Sequence, residues 1–431
     1  MRILVIGSGG REHALCWKIA QSPLCDELFC APGNPGIAEV ASLVPIAVDE
    51  IHGLADFAQS LSIDLTVVGP ELPLTLGLVD EFTRRGLAVF GPRRAAAELE
   101  GSKVFAKEFM ARHGIPTAEF TIAHDAATAR RAALALGFPV VLKADGLAAG
   151  KGVVLPANEA ELEAELLAFF EERRFGAAGD RIVVERFLPG EEVSVMALSD
   201  GSALVPLPSA KDYKRIGDGD SGPNTGGMGA HSPSGVLSTE LAAEIFETVM
   251  KPTIAGLAAE HRTFVGVLYA GIMLTAEGPR VLEYNTRLGD PEAQALLLRI
   301  EDDLVPVLAA GAAGDFAGRK LRIRPEAAAC LVLAAAGYPG KPVTGDSIEG
   351  VATARQHPGV EVFHGGTAWS GEGPERRLVT NGGRVLNVCA TGSELVDALK
   401  RAYLAAADIR WEGKTLRKDI GRRVLQDTSS G

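Results

Sequence analysis

The sequence lacks the features that mark several large classes of protein. Only five of its 431 residues are cysteines, and they form no Cys-x-x-Cys pair and no cysteine–histidine zinc spacing. Lysine and arginine total 43 against 55 acidic residues, which gives a formal net charge of −12. This charge argues against a surface for nucleic acid or for an anionic membrane. No apolar run approaches the roughly 18 residues of a membrane span, and the first strand is too short for a secretory signal. We therefore expect reduced thiols and a cytoplasmic protein.

Two common phosphate-binding motifs are also missing. Residues 146–152 resemble a P-loop, but one spacer residue is absent and Gly152 stands where serine or threonine is required. In the glycine-rich turn that starts at Gly7, the third glycine of a dinucleotide fingerprint would fall at Glu12. The second difference weakens the case for a nicotinamide dehydrogenase. The eight histidines are scattered without metal spacing, and no candidate catalytic triad is visible.

The order of the apolar segments predicts an α/β protein of two to four domains. In the first hundred residues strands alternate with helices, which predicts a parallel sheet with its loops at the strand C-termini. Glycines at the first strand–helix junction leave the helix N-terminus open to an anion. Residues 116–188 fit a small α+β subdomain, and residues 326–424 fit a last α/β module.

Three segments are candidates for a functional site, the first two of them for nucleotide binding. A strand that ends in Lys143 continues into a loop of glycine and alanine with Lys151, which can cradle phosphates; an ordinary hairpin tip is the alternative. The connector from Glu185 to Glu192 can hold a flat base through its peptide groups and a ribose through a carboxylate, or be a plain linker. Residues 211–233 form the longest stretch without apolar periodicity. Structureless loops longer than about 12–15 residues are usually functional or disordered, and the mixed charges here favour function.

A metal site is predicted where a hairpin strand ends. Glu283 and Asn285 are two residues apart, so both side chains face the same way. A carboxylate and an amide oxygen on one face are suitable ligands for Mg²⁺. Arg287, Asp290 and Glu292 follow before a helix that Pro291 can start. The alternative, an edge strand with exposed polar residues, does not explain this crowding.

Seven motifs are spread along the whole chain: GSGGREHAL from Gly7, VGPE from Val68, LEGSK from Leu99, KADGLAAGKG from Lys143, GPNTGGMGAHSP from Gly222, EYNTRLGDPE from Glu283 and RKDIG from Arg417. Together they resemble the phosphoribosylamine–glycine ligase family, ATP-grasp enzymes of purine biosynthesis.

This resemblance implies a fold and an activity. The fold would have an N-terminal Rossmann-like domain (1–101), an ATP-grasp domain (102–320) with a lid subdomain (about 117–188), and a C-terminal α/β domain (321–431). The activity would be ATP-dependent ligation of glycine to 5-phosphoribosylamine through glycyl phosphate. Alternatives are another ATP-grasp ligase or carboxylase, or a nucleotide-binding sensor without turnover. ATP would be a co-substrate with Mg²⁺ or Mn²⁺, and the partners would be small molecules only, with the chain acting as a monomer.

The resemblance also implies nucleotide and metal residues. The ATP-binding set would be Lys103, Lys143, Glu185, Arg186, Phe187, Leu188, Glu192, Arg215 and Asn224, and the metal ligands would be Glu283 and Asn285. Many ATP-grasp enzymes carry a further acidic ligand where this chain has Ala270 and Gly271. The number of metal ions is therefore open.

The substrate half of the site needs local cations, because the substrates are anionic and the protein has a net charge of −12. We expect Arg287 to act catalytically, because its planar fork suits both the glycine carboxylate and the transferring phosphoryl group. The full substrate-binding prediction is Gly9, Gly10, Asp212, Lys214, Gly226, Gly227, Met228, Arg287 and Asp290, in which the two aspartates contact the amines.

Overall fold

A computed structural model describes residues 1–146 and 152–422 of the chain. The N-terminal module is a five-stranded sheet in the order β3-β2-β1-β4-β5, with every pair parallel. Its elements are β1 (Arg2–Gly7), α1 (Gly10–Ile19), β2 (Glu27–Pro32), a 3₁₀ turn (Ile37–Glu39), β3 (Ser42–Leu43), α2 (Ile51–Ser60), β4 (Leu65–Val68), α3 (Glu71–Leu76), α4 (Leu78–Arg84), β5 (Val89–Phe90) and α5 (Arg94–Gly101). The predicted parallel sheet is confirmed. It forms because strands such as β1 are apolar on both faces, and Ile3 to Ile6 are fully buried.

The glycines around β1 have a different role from the one expected. Glu12, in the first turn of α1, accepts a hydrogen bond from the N–H of Gly9 at 2.7 Å. Its side chain fills the space between β1 and β4, where a Cβ on Gly7 or Gly69 would lie 2.4 or 2.2 Å from it. A dinucleotide pyrophosphate would need this space, so the Glu12 side chain is incompatible with that binding mode.

The second module is a four-stranded antiparallel sheet in the order β6-β9-β7-β8. It follows α6 (Lys103–Arg112), which begins where the Ser102 hydroxyl accepts from the Phe105 N–H. Its elements are β6 (Phe120–Ala123), α7 (Ala126–Leu136), β7 (Val140–Ala144), β8 (Val153–Val154), α8 (Glu159–Leu166), a π-helical turn (Leu167–Glu171), a 3₁₀ turn (Gly176–Gly179) and β9 (Ile182–Arg186). The predicted hairpin is present as β7 and β8, whereas its tip, residues 147–151, lies outside the described residues.

The third module is an antiparallel sheet in the order β11-β10-β16-β17 with helices packed against it. Its elements are β10 (Glu191–Asp200), β11 (Leu204–Pro206), α9 (Thr239–Ile245), a π-helical turn (Phe246–Met250), α10 (Lys251–Ala259), β16 (Val265–Thr275), β17 (Gly278–Asn285), α11 (Glu292–Arg299) and α12 (Leu304–Ala313). The predicted hairpin of β16 and β17 is confirmed. Gly271 pairs with Glu283 while Ile272 pairs with Val281, so Leu282 forms a bulge beside the predicted metal ligand.

The segment 211–233 differs from the structureless loop that we expected. It contains four short strands, β12 (Lys211–Asp212), β13 (Arg215–Gly217), β14 (Ser221–Asn224) and β15 (Gly229–Ser232). β12 and β15 join the C-terminal sheet, ordered β12-β15-β18-β22-β19, while β13 and β14 form a separate hairpin. The segment therefore connects the third module to the last one.

The C-terminal module completes that sheet and covers it with one long helix. Its elements are β18 (Ala327–Ala334), α13 (Val351–Ala354), β19 (Val360–His364), β20 (Thr367–Ser370), a 3₁₀ turn (Gly373–Glu375), β21 (Arg377–Thr380), β22 (Arg384–Gly392) and α14 (Leu395–Asp408). One hydrophobic core includes Val5 of β1, Met196 of β10, Leu296 of α11 and Cys330 of β18, so these modules share an interior. Across the described ranges, no helix combines the length and apolarity needed to cross a membrane.

Candidate active site

A cavity of about 890 Å³ opens between the modules, and residues from all four of them line it. All but four of the predicted site residues lie on its wall. They are Lys103, Lys143, Glu185, Arg186, Phe187, Leu188, Glu192, Asp212, Lys214, Arg215, Asn224, Gly226, Glu283, Asn285, Arg287 and Asp290. The structure therefore brings together side chains that are separated by up to 187 positions, from Lys103 to Asp290.

The predicted metal face carries the densest charge. Glu283 lies 3.0 Å from the Lys103 ammonium and 3.5 Å from that of Lys214, which also pairs with Glu192. The positive charge of Lys103 is the main reason why the pKa of Glu283 is well below its usual value, although burial opposes it. Glu283 is therefore ionised. A divalent cation that bound here would replace lysine contacts with metal contacts.

The donor set at this face fits a hard cation. The Glu283 carboxylate and the Asn285 amide oxygen both reach the cavity from β17, and Mg²⁺ or Mn²⁺ prefer such oxygen ligands. Opposite them on β16 stand Tyr269 and Gly271, neither of which has a carboxylate. This arrangement agrees with the sequence, in which Ala270 and Gly271 stand where many ATP-grasp enzymes carry a further acidic ligand.

A buried ion cluster lies at the lid side of the cavity. The Glu185 carboxylate contacts both the Lys143 ammonium, at 2.5 Å, and the Lys107 ammonium. Lys143 also donates to the carbonyl oxygen of Leu282 at 2.9 Å, so the bulge on β17 and strand β7 are joined. Burial raises the pKa of Glu185, but the two lysines outweigh it and lower the pKa. Lys107 was missed by the sequence reasoning, although it lies one helical turn after Lys103 on α6.

Arg287 is close to the metal face, as its spacing from Asn285 predicts. Its guanidinium contacts Glu100 at 2.9 Å and Glu71 at 3.3 Å, and it donates to the Asn285 amide oxygen at 3.1 Å. Burial would lower the pKa of Arg287, but these carboxylates raise it. Glu71 and Glu100 were not predicted, although both lie in motifs (VGPE and LEGSK) that carried the resemblance.

The two aspartates predicted to contact the substrate amines, Asp290 and Asp212, lie in different surroundings. Asp290 pairs with Arg384 of β22 at 3.0 Å, and Arg384 also donates to the Gly226 carbonyl oxygen at 2.6 Å. Asp212 is half-buried, and burial raises its pKa well above the usual value against the opposing charge of Lys214. Arg384 is a site residue that sequence reasoning missed, because nothing near it in the sequence indicates a contact with Asp290.

Four predicted residues do not reach the cavity wall. The N–H of Gly9 is taken by the Glu12 carboxylate, and Gly10 packs so closely that a Cβ would lie 2.1 Å from Asn387. Gly227 packs against Pro291, and Met228 is fully buried in a small cluster with Val332 and Ala334. In this structure the Gly9 N–H is therefore already bonded, and substrate binding by Gly9 and Gly10 stays a prediction.

Residues 186–188 and the β13–β14 hairpin complete the cavity wall. Arg186 ends β9, and Phe187 and Leu188, which follow it directly, give this part an apolar surface. On the opposite side, Arg215 pairs with Asn224 across the β13–β14 hairpin, and the Arg215 guanidinium donates to the Gly222 carbonyl oxygen at 2.7 Å.

A cavity between two antiparallel sheets, with lysines at its lid and a Glu–Asn pair on its base, defines an ATP-grasp enzyme. Family models for phosphoribosylglycinamide synthetase match almost the whole chain: the N domain at 1–100, the ATP-grasp domain at 101–293 and the C domain at 328–423. The chain belongs to this family, that of the phosphoribosylamine–glycine ligases.

Individual relatives are similar over nearly their full length. The phosphoribosylamine–glycine ligase of Caulobacter vibrioides is 50% identical over 427 residues, which cover 99% of each chain, and that of Yersinia pestis is 48% identical with the same coverage. The crystal structure of the Thermotoga maritima ligase superposes with a TM-score of 0.83 at 35% identity, covering 97% of this chain and all of that one. A biotin carboxylase domain from Hydrogenobacter thermophilus, at 18% identity, TM-score 0.71 and coverage of 96% and 91%, shares the fold.

Proposed function

We propose that this protein joins glycine to 5-phosphoribosylamine with ATP, through glycyl phosphate, and releases ADP and phosphate. Support comes from the family membership and from one observation above all. Four lysines, the Glu283–Asn285 pair and Arg287 face a single cavity that is large enough for a nucleotide and two small substrates.

The chemistry needs charge neutralisation more than a protein nucleophile. A glycine carboxylate oxygen attacks the γ-phosphorus of ATP, and the bond to the ADP oxygen breaks. The amine of phosphoribosylamine then attacks the carbonyl carbon of glycyl phosphate, phosphate leaves with its bonding electrons, and the nitrogen loses a proton. Positioning and electrostatic stabilisation account for most of the rate in phosphoryl transfer of this kind.

We assign the nucleotide to the lid side of the cavity. Lys103 and Lys143 would contact phosphates, the peptide groups of residues 185–188 would hold adenine, and Glu192 would bind the ribose. Arg215 and Asn224 would close the site from the β13–β14 hairpin. In this assignment Glu185 acts indirectly, because its carboxylate is already bound to Lys143 and Lys107.

Glu283 and Asn285 would hold Mg²⁺ or Mn²⁺, which supplies positive charge to the phosphates when it is bound. Arg287 is fixed next to this pair by Glu71 and Glu100, so its guanidinium is available at a defined place for the glycine carboxylate. Asp212 and Asp290 would contact the substrate amines. Asp212 suits that role because, among the described residues, no cation lies within ion-pair distance of its carboxylate.

An isotope experiment tests the intermediate. Glycine labelled with ¹⁸O in its carboxylate should transfer one ¹⁸O atom to the released inorganic phosphate, because the carboxylate oxygen attacks phosphorus and stays with it. Phosphate without the label would exclude glycyl phosphate. ADP formation that depends on bicarbonate in place of glycine would favour a carboxylase, and ATP binding without any ADP formation would favour a sensor.

A further inference from the structure

The RKDIG motif at residues 417–421 has no part in the chemistry proposed above, yet its arginine is fully buried. Arg417 is only 1% exposed. Its guanidinium donates two hydrogen bonds to the Asp419 carboxylate, both at 2.8 Å, and a third to Asp220 at 2.8 Å. A fourth, at 3.2 Å, goes to the main-chain carbonyl oxygen of Arg215. The arginine thus joins the end of the chain to a segment about 200 residues earlier.

Residues 417–421 also hold the tip of the β13–β14 hairpin through main-chain groups. The Gly219 N–H donates to the Asp419 carboxylate at 2.8 Å, and the Lys418 N–H donates to the Asp218 carboxylate at 2.8 Å. Residues 218–219 at the hairpin tip and residues 418–419 therefore donate to each other, and such reciprocal bonds fix both the position and the orientation of the tip. Burial would raise the pKa of Asp419, but its bonds to Arg417 and Gly219 lower it to about 2, so the pair is charged at any assay pH.

Tyr213 extends these contacts to the residues before the hairpin. The Arg417 guanidinium lies 5.0 Å from the centre of the Tyr213 ring, and the Gly421 N–H donates to the Tyr213 hydroxyl at 2.8 Å. Tyr213 stands between Asp212 and Lys214, both of which line the cavity. A buried arginine between two carboxylates is costly unless every bond is made. Its position here means that the cavity wall between residues 212 and 224 depends on it.

We propose that Arg417 is a positioning residue for the nucleotide site. It holds the β13–β14 hairpin so that Arg215 and Asn224 face ATP, and it connects the C-terminal module to that site. The inference rests on the proposed function only for the identity of the nucleotide.

The test uses the full-length protein and two variants. Arg417→Lys keeps a charge but loses the planar fork. Asp220→Asn removes one half-exposed carboxylate and leaves the buried Arg417 paired with Asp419. We expect both to weaken binding of a non-hydrolysable ATP analogue, the first by about 10- to 100-fold and the second less, as expected for misplaced contact groups. The KM for glycine at saturating ATP should change far less than the KM for ATP.

Arg401→Lys is the matched control, because Arg401 lies in the same module, on α14, and donates to the Thr391 carbonyl oxygen at 2.8 Å, away from the hairpin. It should leave ATP binding unchanged. Amide exchange should become faster across residues 215–224 in Arg417→Lys but not in the control, with β18 and β22 protected in both. This local readout separates positioning from general loss of stability, and Asp220→Asn provides the test if Arg417→Lys does not fold.

Unchanged affinity for the analogue in a folded Arg417→Lys or in Asp220→Asn, with unchanged exchange at 215–224, would overturn the inference. Equal increases in the KM values for ATP and glycine would also overturn it. Analogue binding does not need turnover. A wild-type protein that bound ATP without joining glycine to phosphoribosylamine would therefore contradict the proposed function while the variants still tested Arg417.

Discussion

Replacing Glu283 with glutamine gives the most informative perturbation of the metal face. The variant keeps the shape of the side chain and removes one negative charge. Because the pKa of Glu283 is well below its usual value, the full charge is lost at every pH used for assay. Lys103, at 3.0 Å, then loses its carboxylate partner, whereas Lys214, at 3.5 Å, keeps its pair with Glu192.

The expected size of the effect follows from the role of the charge. Removal of one preorganised electrostatic group from a catalytic site typically costs about 3–4 kcal/mol, or 10²- to 10³-fold in kcat. We expect a loss of this size for Glu283→Gln at saturating Mg²⁺ or Mn²⁺. Binding of ATP in the presence of EDTA should be equal or tighter, because Lys103 is released from the carboxylate and can contact phosphates.

The assay pairs steady-state ADP formation with calorimetric ATP binding, each with metal and with EDTA. Glu277→Gln is the control, since Glu277 lies at the turn of the same hairpin with its side chain 86% exposed. It should behave as wild type. Near-normal kcat for Glu283→Gln at saturating metal, or weaker metal-free ATP binding with a preserved fold, would refute the reasoning.

Three further predictions follow from single contacts. Arg287→Lys should lower kcat/KM for glycine by about 30-fold with unchanged ATP affinity, because a lysine cannot reproduce bonds that are each worth roughly 2 kcal/mol, and steady-state kinetics with ATP titration checks it. Because of His231, the free energy of unfolding should decrease as the pH falls from about 6.5 to about 4. Burial lowers its folded pKa to about 4, so the unfolded chain takes the proton first; melting curves should show a loss of up to roughly 3 kcal/mol that His231→Asn removes. Gly69→Ala should lower the melting temperature by an amount equivalent to about 1–3 kcal/mol, because the new Cβ would lie 2.2 Å from Glu12, whereas Gly53→Ala, with its nearest neighbour at 3.6 Å, should be neutral or stabilising.

Local patterns in the sequence were sufficient to predict those features of the structure that depend on local contacts. Ser102 caps α6 because its hydroxyl reaches the N–H three residues on, and the turn at Glu277 and Gly278 joins β16 to β17. The alternation along β17 placed Glu283 and Asn285 on one face even though a bulge at Leu282 interrupts the pairing, because the bulge precedes both residues.

The missed features depend on contacts between distant parts of the chain. β15 reads as loop because it is short and follows a glycine-rich turn, and it becomes a strand only by pairing with β18 about 100 residues later. Arg384 and Lys107 belong to the site through Asp290 and Glu185, which no local pattern indicates. The bond between the Gly9 N–H and Glu12 had a local signal, since a glutamate three residues after a helix cap often bonds back to it.

The division into three domains at residues 101 and 320 stays a prediction with one physical complication. β12 and β15 lie in the sequence of the ATP-grasp domain but in the sheet of the C-terminal module. The two modules therefore share a sheet as well as the cavity, which agrees with the proposed dependence of the nucleotide site on Arg417.

The substrate dependence of ADP formation is the most direct test of whether the protein joins glycine to 5-phosphoribosylamine. The purified protein is incubated with ATP and Mg²⁺, and with glycine and freshly generated 5-phosphoribosylamine added singly and together, while ADP and the ligated product are measured in the same samples. The account predicts equal amounts of ADP and product, with both formed only when the two substrates are present. ADP formation that does not need both substrates, or product that is absent while ADP accumulates, would contradict it.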